Sequence, residues 1–438
     1  MLKLRDYQEE AVDFLYERDR AIVLAAVGAG KTAIALTLMR EMLRDKLVKR
    51  WLVIAPKRVA KEVWHVEKEK WTPELTMTVA VGSSPQRTKA YASDVDIVVT
   101  NYDSLQKVTD LSMFDGVIFD ELTRLKNPSG KRFKALYQLI AHINIRYGLT
   151  GSFTSNGLED VFGQCKIVDW EVLGRTKTPF MQTYFICLNR EFSQWIPKKN
   201  AFEQVMARIK PMAYLLENKE YKDQLPPLHT VEVKVALTDR KPYEKMKKDF
   251  VTEVDGEVIT AVTAAAMTQK LQQLASGFSY VTEAGSSITP RAVWFSAHKF
   301  EMLDEIIEEN QHAPTLVFYN FVEELAELKR RYPQLQTLDS PNAVQRFNEG
   351  KIELLAAHPK SAGHGLNLQG SAHHMVFLSL PWSFELYEQA VGRLHRGGQK
   401  HPVWVYVIKT EKTIDERIWA ALHDKRALSE VAIEELRD

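Results

Sequence analysis

A glycine-rich segment near the N-terminus has the residue types of a phosphate-binding loop. It runs from Ala25 to Thr32, between an apolar stretch and a run of helix formers, and it begins with alanine where the usual pattern has glycine. Glycines let backbone N–H groups face a phosphate at a helix start, where the helix end adds partial positive charge. We expect Lys31 to reach the β- and γ-phosphates and Thr32 to place its hydroxyl on Mg²⁺. The predicted cofactor-binding residues of this loop are Gly28, Ala29, Gly30, Lys31 and Thr32.

Two adjacent carboxylates, Asp120 and Glu121, follow a second apolar stretch that begins at Phe114. At the carboxyl edge of a parallel sheet, such residues face the ligand crevice. Asp120 is expected to hold Mg²⁺ and Glu121 to deprotonate the attacking water. An Asp-Glu pair alone is common, but together with the phosphate loop it predicts a site of nucleotide hydrolysis.

A third group of polar residues lies far along the chain, between Gln389 and Gln399. Arg393 and Arg396 are three residues apart, so on a helix they share one face and could reach one phosphate. If their domain faces the phosphate loop, they are arginine fingers that complete the hydrolytic site. The alternative is an ordinary solvated helix face.

Short apolar runs alternating with amphipathic stretches predict parallel sheets covered by helices. The first predicted set of strands is Ala21–Val27, Trp51–Ala55, Ile97–Thr100, Val117–Phe119 and Tyr147–Thr150. The second set is Thr315–Tyr319, Ile352–Ala356, His374–Leu380 and Val403–Ile408, with helices Glu323–Tyr332 and Phe384–Leu394. The fold class is therefore predicted to be α/β with two parallel-sheet lobes.

Four segments follow from this pattern. Residues 1–156 form the first lobe and residues 291–410 the second. Residues 157–290 are more polar and contain scattered prolines, which predicts a helical insertion and linker. Residues 411–438 repeat apolar side chains at helical spacing and are expected to form a C-terminal brace helix.

The composition of the chain indicates its cellular compartment more than the reaction that it catalyses. Among 438 residues, 58 lysines and arginines balance 57 aspartates and glutamates, so any site for a polyanion must be local. Cys165 and Cys187 have no metal-ligand spacing, which fits a reducing compartment. No apolar run has the length of a signal peptide core or a membrane span, so an intracellular location is expected. The adjacent His373 and His374 have no cysteine or acidic neighbour, which favours packing over metal binding.

Taken in order, these segments resemble the superfamily 2 helicase-like ATPases, and among them the Swi/Snf group of DNA translocases, which implies that the two predicted lobes are RecA-like. Leu4-Arg-Asp-Tyr7-Gln8 resembles the adenine-contacting opening, and Val53–Lys57 followed by Trp64 resembles motif Ia. The other similar stretches are Val99–Tyr102 (Ib), Asp120–Asn127 (II), Leu149–Ser152 with Asn156 (III), Thr315–Asn320 (IV), Ser361–Leu368 (V) and Gln389–Gln399 (VI). The resemblance adds Gln8, Gly365 and Gln389 to the expected nucleotide site.

The same resemblance implies a groove that grips a phosphate backbone without selecting a sequence. The implied nucleic-acid-binding residues are Lys57, Arg58, Thr100, Asn101, Asn320, Ser361 and Gly363. A loop with Lys126, Lys131, Arg132 and Lys134 could add positive charge, or these residues could simply be solvated. No clear platform for stacking on bases is present apart from Tyr102 and Trp382, and Trp382 is expected to serve core packing or coupling instead.

The sequence departs from the family pattern at three places. Leu122 and Thr123 replace the usual Ala and His of motif II, which puts its hydrogen-bonded link to motif III in doubt. Phe153 replaces a proline of motif III, and Leu215-Leu216-Glu217-Asn218 replaces a Leu-Arg-Arg run. None of these changes touches the residues assigned to the phosphates.

The resulting hypothesis is an ATP- and Mg²⁺-dependent translocase on double-stranded or branched DNA. Two alternatives stay open: a strand-separating DNA or RNA helicase, and a DNA-binding scaffold that is not a motor. Lys126-Asn127 after motif II, with His395 and Gln399 in motif VI, favours the duplex-tracking group over the helicase. The intact set Lys31, Asp120, Glu121, Arg393 and Arg396 argues against the scaffold.

Overall fold

A computed structural model gives the structure of the chain as two compact units. They comprise Met1–Gln224 with Lys425–Asp438, and Leu225–Asp424. The segment predicted as an insertion, residues 157–290, is thus divided between the two units. The residues described are 3–25, 28–151, 153–154, 157–189, 194–216, 225–249, 251–254, 257–260, 264–281, 291–362 and 366–437.

The first unit contains a parallel sheet and a separate antiparallel hairpin. Its strands are β1 (Arg20–Leu24), β2 (Trp51–Ala55), β3 (Met77–Ala80), β4 (Ile97–Asn101), β5 (Gly116–Asp120), β6 (Ile145–Thr150), the hairpin β7 (Phe185–Asn189) and β8 (Gln194–Pro197), and β9 (Ala213–Leu215). The sheet has the order β3-β4-β2-β5-β6-β1-β9. Because β5 and β1 both flank β6, the segments that follow them meet at one carboxyl edge.

Helices connect these strands because a parallel pair needs a long crossover. They are α1 (Asp6–Tyr16), α2 (Lys31–Arg44), α3 (Lys57–Glu62), α4 (Trp64–Trp71), α5 (Ser84–Ala92), α6 (Lys131–Leu139), α7 (Asp160–Val168), α8 (Trp170–Leu173), α9 (Lys177–Tyr184) and α10 (Ala201–Ile209). Strands β2, β4 and β5 are buried at every residue, as a sheet covered on both faces requires.

The second unit repeats this architecture with a second parallel sheet. Its strands are β10 (Leu228–Val235), β11 (Val251–Val254), β12 (Glu257–Thr260), β13 (Phe278–Val281), β14 (Arg291–Trp294), β15 (Thr315–Phe318), β16 (Gln336–Thr337), β17 (Leu354–Ala357), β18 (His374–Phe377) and β19 (Val403–Thr410). The sheet order is β10-β19-β18-β15-β17-β16, and β11-β12 and β13-β14 are antiparallel pairs outside it. The two predicted α/β lobes are therefore confirmed.

The helices that follow the edge strand β10 belong to the second unit, except that the last one continues from Lys425 onward into the part of the chain assigned to the first unit. They are α11 (Lys241–Asp249), α12 (Ala264–Ala275), α13 (His298–Glu309), α14 (Val322–Arg331), α15 (Ala343–Asn348), α16 (Pro359–Ala362), α17 (Phe384–Val391) and α18 (Ile414–Arg437). The last is one continuous helix whose Ile418 and Leu422 are buried. Among the described residues, no helix combines the length and apolar character needed to cross a bilayer.

A buried ion pair joins α13 to the start of α18. The Lys299 Nζ lies 2.6 Å from Asp415 Oδ2, and both side chains are 1% exposed. Asp415 Oδ2 also accepts the backbone N–H of Thr410 at 3.0 Å. Removal of one partner leaves an uncompensated buried charge, which is strongly destabilising.

We expect Lys299→Ala to lower the free energy of unfolding by about 3–5 kcal/mol, since the buried Asp415 carboxylate loses its counterion. Urea denaturation followed by circular dichroism measures this loss. Lys351→Ala is the matched control because the Lys351–Glu349 pair is exposed and surface pairs contribute only about 0–1 kcal/mol. Equal losses in the two variants would contradict the assignment of a stabilising role to the buried pair.

Candidate active site

The phosphate loop joins β1 to α2 and is fixed at its start by the neighbouring strand. The Ala25 N–H donates to the Thr150 carbonyl at 3.0 Å, and the Ala25 carbonyl accepts from Lys31 Nζ at 2.6 Å. Gly28 and Gly30 have φ angles of 87° and 83°, a left-handed conformation that favours glycine. Alanine at position 25 is compatible with this loop because the left-handed positions come later. Residues 26–27 lie outside the described part of the chain.

Gln8 braces this loop from α1. Its side-chain amide donates to the Ala29 carbonyl at 3.2 Å and accepts from the Arg5 N–H at 3.0 Å. A Cβ on Gly30 would lie 2.1 Å from Gln8 Nε2 and would displace that amide, and the φ angle of 83° also favours glycine there. The structure places Gln8 against the loop backbone; its contact with an adenine base stays a prediction.

Asp120 ends β5 as a buried carboxylate, with 9% of the residue exposed. Its Oδ2 accepts the indole N–H of Trp64 at 2.9 Å, and its carbonyl accepts the Tyr102 hydroxyl at 2.8 Å. Burial raises the pKa of Asp120 above its ordinary value, while the hydrogen bond from Trp64 and the charge of Lys31 act in the opposite direction. A buried carboxylate under the influence of Lys31 is a hard oxygen ligand of the kind that Mg²⁺ selects.

Glu121 has an unusual backbone for its residue type. Its φ and ψ angles are 62° and 61°, in the left-handed region that non-glycine residues rarely adopt and that costs energy to maintain. Such strain is concentrated at functional sites. Thr123 Oγ1 donates to Glu121 Oε1 at 3.5 Å, so the residue in place of the family histidine contacts the carboxylate.

The substitutions in motif II are accommodated by apolar packing. Leu122 is fully buried, and a Cβ on Gly148 would lie 2.6 Å from its Cδ2 atom. Leucine therefore fits because β6 has no side chain at that position. Phe153 is buried, and its carbonyl accepts the Gln164 amide at 2.9 Å. Ser152 and Asn156 of motif III lie outside the described residues.

Arg393 and Arg396 converge on one backbone carbonyl of the second unit. Their Nη1 atoms donate to the Leu366 carbonyl at 3.2 Å and 3.1 Å. The helix predicted over Phe384–Leu394 begins at Phe384 as expected but ends earlier, at Val391, with Gly392 as its C-cap. The arginines are thus brought together by the turn after the helix and by motif V, and not by helical spacing.

The remaining motif VI side chains hold that turn in place. Gln399 Nε2 donates to the Ala372 carbonyl at 2.9 Å, and His395 Nε2 lies 2.9 Å from the Pro226 carbonyl. Gln389 is buried, and its Nε2 donates to Glu385 Oε1 at 3.2 Å. Gly363 and Gly365, predicted for the nucleic acid and the nucleotide, lie outside the described residues.

The residues predicted to grip nucleic acid differ in exposure. Lys57 is exposed at the start of α3, Arg58 is partly exposed and pairs with Glu62 at 3.4 Å, and Ser361 is exposed on α16. By contrast, Thr100 is fully buried, and its hydroxyl donates to the Ala80 carbonyl at 3.1 Å. Asn101 is buried too and accepts a hydrogen bond from Ser104. Both side chains are thus buried at the end of the interior strand β4, and their assignment to nucleic acid stays a prediction.

The four basic residues of the loop after motif II, and the two candidate aromatic residues, also differ among themselves in exposure. Lys131 and Lys134 are exposed, whereas Lys126 pairs with Asp160 at 3.3 Å and Arg132 pairs with Asp103. Tyr102 is only 2% exposed, so it offers no stacking face, whereas Trp382 is 42% exposed. The indole N–H of Trp382 donates to Gln272 Oε1 at 3.2 Å.

The paired histidines pack against other rings at the amino end of β18. The ring centroid of His373 lies 4.3 Å from that of His374 and 5.0 Å from that of His401. Burial, with a smaller effect of His373, lowers the pKa of His374 to about 4. Within the described ranges, no group of three or more His, Cys, Asp or Glu side chains is arranged so that it could hold a metal ion.

One buried carboxylate had no sequence signature. Glu324 on α14 is fully buried, and its Oε2 accepts the backbone N–H groups of Asn320 and Phe321 at 2.9 Å and 3.2 Å and the Ser379 hydroxyl at 2.7 Å. It therefore fixes the backbone of motif IV. A glutamate that caps the start of a helix is usually recognised because Ser, Thr, Asp or Asn stands three residues before it, at the N-cap. Here the N-cap is Phe321, so the sequence does not show the pattern.

Comparison with known proteins identifies the family of the chain. The SNF2-related domain matches residues 7–277, which is more than half of the chain, and the helicase conserved C-terminal domain matches residues 298–398. A protein called putative protein p41, from Acyrthosiphon pisum secondary endosymbiont phage 1, is 33% identical over 99% of this chain and 98% of its own length.

Other relatives are more distant or much longer. The uncharacterized ATP-dependent helicase YqhH of Bacillus subtilis is 23% identical over 96% of this chain and 77% of its own. The SWI/SNF chromatin-remodeling complex subunit snf22 of Schizosaccharomyces pombe is 25% identical, but this chain spans only 27% of it. A solved Sulfolobus solfataricus SWI2/SNF2 ATPase core in complex with dsDNA aligns with 98% of this chain and 92% of its own, at 21% identity and a TM-score of 0.47. By its two matching domains, the chain belongs to the SNF2-related family and is a helicase-like ATPase with two RecA-like lobes.

Proposed function

We propose that this ATPase uses MgATP to move along double-stranded DNA without separating the strands. The observation that carries the proposal is the contrast in exposure among the predicted contact residues. Cationic and hydroxyl groups suited to phosphates, on Lys57 and Ser361, are exposed, while the aromatic ring of Tyr102 is buried. Contacts of this kind hold a backbone and leave stacked bases paired.

In the hydrolytic step, each group of the first lobe has a separate task. The N–H groups at the start of α2 and the Lys31 ammonium would bind the β- and γ-phosphates. Thr32 and Asp120 would hold the Mg²⁺ that enters with ATP, which neutralises charge developing on the phosphates. Glu121 would orient the attacking water and accept its proton. Arg396, and Arg393 beneath it, would stabilise the charge of the transition state.

DNA binding through phosphates makes a prediction about salt. We expect the affinity for duplex DNA to fall on the order of tenfold or more between about 50 and about 200 mM salt, because neutralised phosphates release counterions. The loss should be the same for duplexes of different sequence, since backbone contacts carry no sequence information. Fluorescence anisotropy with two unrelated duplexes measures both effects. A salt-independent or strongly sequence-selective affinity would contradict a backbone grip.

Strand separation is the second candidate, because Trp382 is an exposed aromatic side chain that could stack on a flipped base. Two assays under one condition distinguish the candidates. Displacement of a third strand from a triplex needs only tracking, whereas release of one strand from a tailed duplex needs unwinding. Triplex displacement without unwinding is the expected result, and efficient unwinding would favour the helicase.

A further inference from the structure

A buried hydrogen bond connects the predicted DNA-gripping segment of the first lobe to the hydrolytic carboxylate. Trp64 is fully buried at the first position of α4, and its indole N–H donates to Asp120 Oδ2 at 2.9 Å. A single residue, Val63, separates α4 from α3, whose first two residues are Lys57 and Arg58. A displacement of α3 and α4 would therefore move the hydrogen-bond donor of the Asp120 side chain.

A second buried hydrogen bond holds the backbone of the same residue. Tyr102, which directly follows β4, donates its hydroxyl to the Asp120 carbonyl at 2.8 Å. Thus the segments that resemble motifs Ia and Ib each place one donor on Asp120, the first on its side chain and the second on its main chain. Neither contact was predicted from the sequence.

These contacts are strong enough to fix an orientation. A hydrogen bond to an ionised group is roughly twice as strong as one between neutral groups. The low dielectric of a buried site strengthens it further, because water does not compete for the carboxylate. With Oδ2 committed to Trp64, the carboxylate cannot rotate freely about its terminal bond, so the direction of Oδ1 is set as well.

We propose that Trp64 and Tyr102 are positioning residues for Asp120. They set the orientation in which Asp120 holds the Mg²⁺ of MgATP, and Trp64, through α3 and α4, makes that orientation respond to DNA. The first part depends only on the ATPase site. The second part rests on the proposed function, because it requires that DNA bind at Lys57 and Arg58.

Trp64→Phe tests the first part without DNA, since it removes the N–H and keeps an aromatic ring. The readout is binding of a fluorescent, non-hydrolysable ATP analogue as Mg²⁺ is titrated. We expect the half-saturating Mg²⁺ concentration to rise about tenfold, the loss expected for one hydrogen bond to a charged group. Trp71→Phe is the matched control, because Trp71 on the same helix donates to the partly exposed Glu67 at 3.1 Å. An equal Mg²⁺ dependence in the two variants overturns the proposal.

Tyr102→Phe removes one oxygen and serves if thermal unfolding shows that Trp64→Phe does not fold. It should raise the half-saturating Mg²⁺ concentration in the same direction, and a wild-type value then overturns the proposal. With duplex DNA present, Trp64→Phe should lower the ratio of stimulated to unstimulated ATPase about tenfold, while Trp71→Phe retains it. An unchanged ratio overturns the response to DNA. A Mg²⁺ shift in a protein whose wild type is not stimulated by DNA would instead reject the proposed function and retain the positioning role.

Discussion

Glu121→Gln is expected to bind ATP with near wild-type affinity and to hydrolyse it roughly 10²- to 10⁴-fold more slowly, the usual contribution of a general base. Glutamine keeps the size and the hydrogen-bonding reach of the side chain but cannot accept a proton from water. The left-handed backbone of Glu121 supports this role, because strained backbone conformations cluster at active sites. Single-turnover hydrolysis and binding of a fluorescent ATP analogue separate the two effects.

Lys31→Ala is the companion variant, and it should differ from Glu121→Gln in a specific way. Loss of the ammonium removes charge from the β- and γ-phosphates, so ATP binding and hydrolysis should both be lost. Arg330→Ala, at an exposed site in the second lobe, should behave like the wild type. Normal hydrolysis by Glu121→Gln would show that another group activates the water.

Arg396→Ala has the second large expected effect, a loss of hydrolysis on the order of a thousandfold if the residue acts as an arginine finger. The lobe should stay folded, because Arg393 still donates to the Leu366 carbonyl. Affinity for duplex DNA should change by less than about twofold, as the finger acts on phosphates of ATP and not of DNA. The measurements are steady-state ATPase and DNA anisotropy on the same preparation.

Arg396→Lys is an informative comparison, because lysine keeps the charge but cannot present the planar guanidinium fork. It should recover little of the lost hydrolysis. If Arg396→Ala hydrolyses ATP normally but no longer binds DNA, the arginine belongs to the nucleic-acid groove. In that case, the hydrogen bonds of both arginines to the Leu366 carbonyl would serve to hold motif V in place for DNA binding.

The sequence predicted the interior of both lobes well because their strands are buried on both faces. Strand β2 was predicted from Trp51 to Ala55 with its observed bounds, since a continuous apolar run is enough to recognise such a strand. Edge strands were missed: β9 and β10 lie in the region predicted as helical. Strand β10, from Leu228 to Val235, follows Pro226 and Pro227. It is largely exposed, so it lacks the continuous apolar run that marks the interior strands.

The sequence predicted the residue types of the site but not the burial or the hydrogen-bond partners of their side chains. Gly28, Gly30 and Lys31 follow from the pattern, because a phosphate loop needs left-handed positions and a cation at fixed spacing. Spacing could not show that the side chains of Thr100 and Asn101 are buried, since every residue of strand β4 is buried and the sequence does not mark which of them a ligand could reach. Convergence on the Leu366 carbonyl and the Trp64–Asp120 hydrogen bond depend on contacts between residues far apart in the chain, which only the fold brings together.

We infer that duplex DNA drives this ATPase. The steady-state hydrolysis rate tests this most directly when it is measured with no nucleic acid, with single-stranded DNA, with duplex DNA, with forks and with RNA, at one salt concentration. We predict that duplex DNA and forks with duplex arms raise kcat well above the unstimulated rate, whereas single strands and RNA do so weakly. Stimulation chiefly by single-stranded DNA or RNA, or no stimulation by any nucleic acid, would contradict the claim.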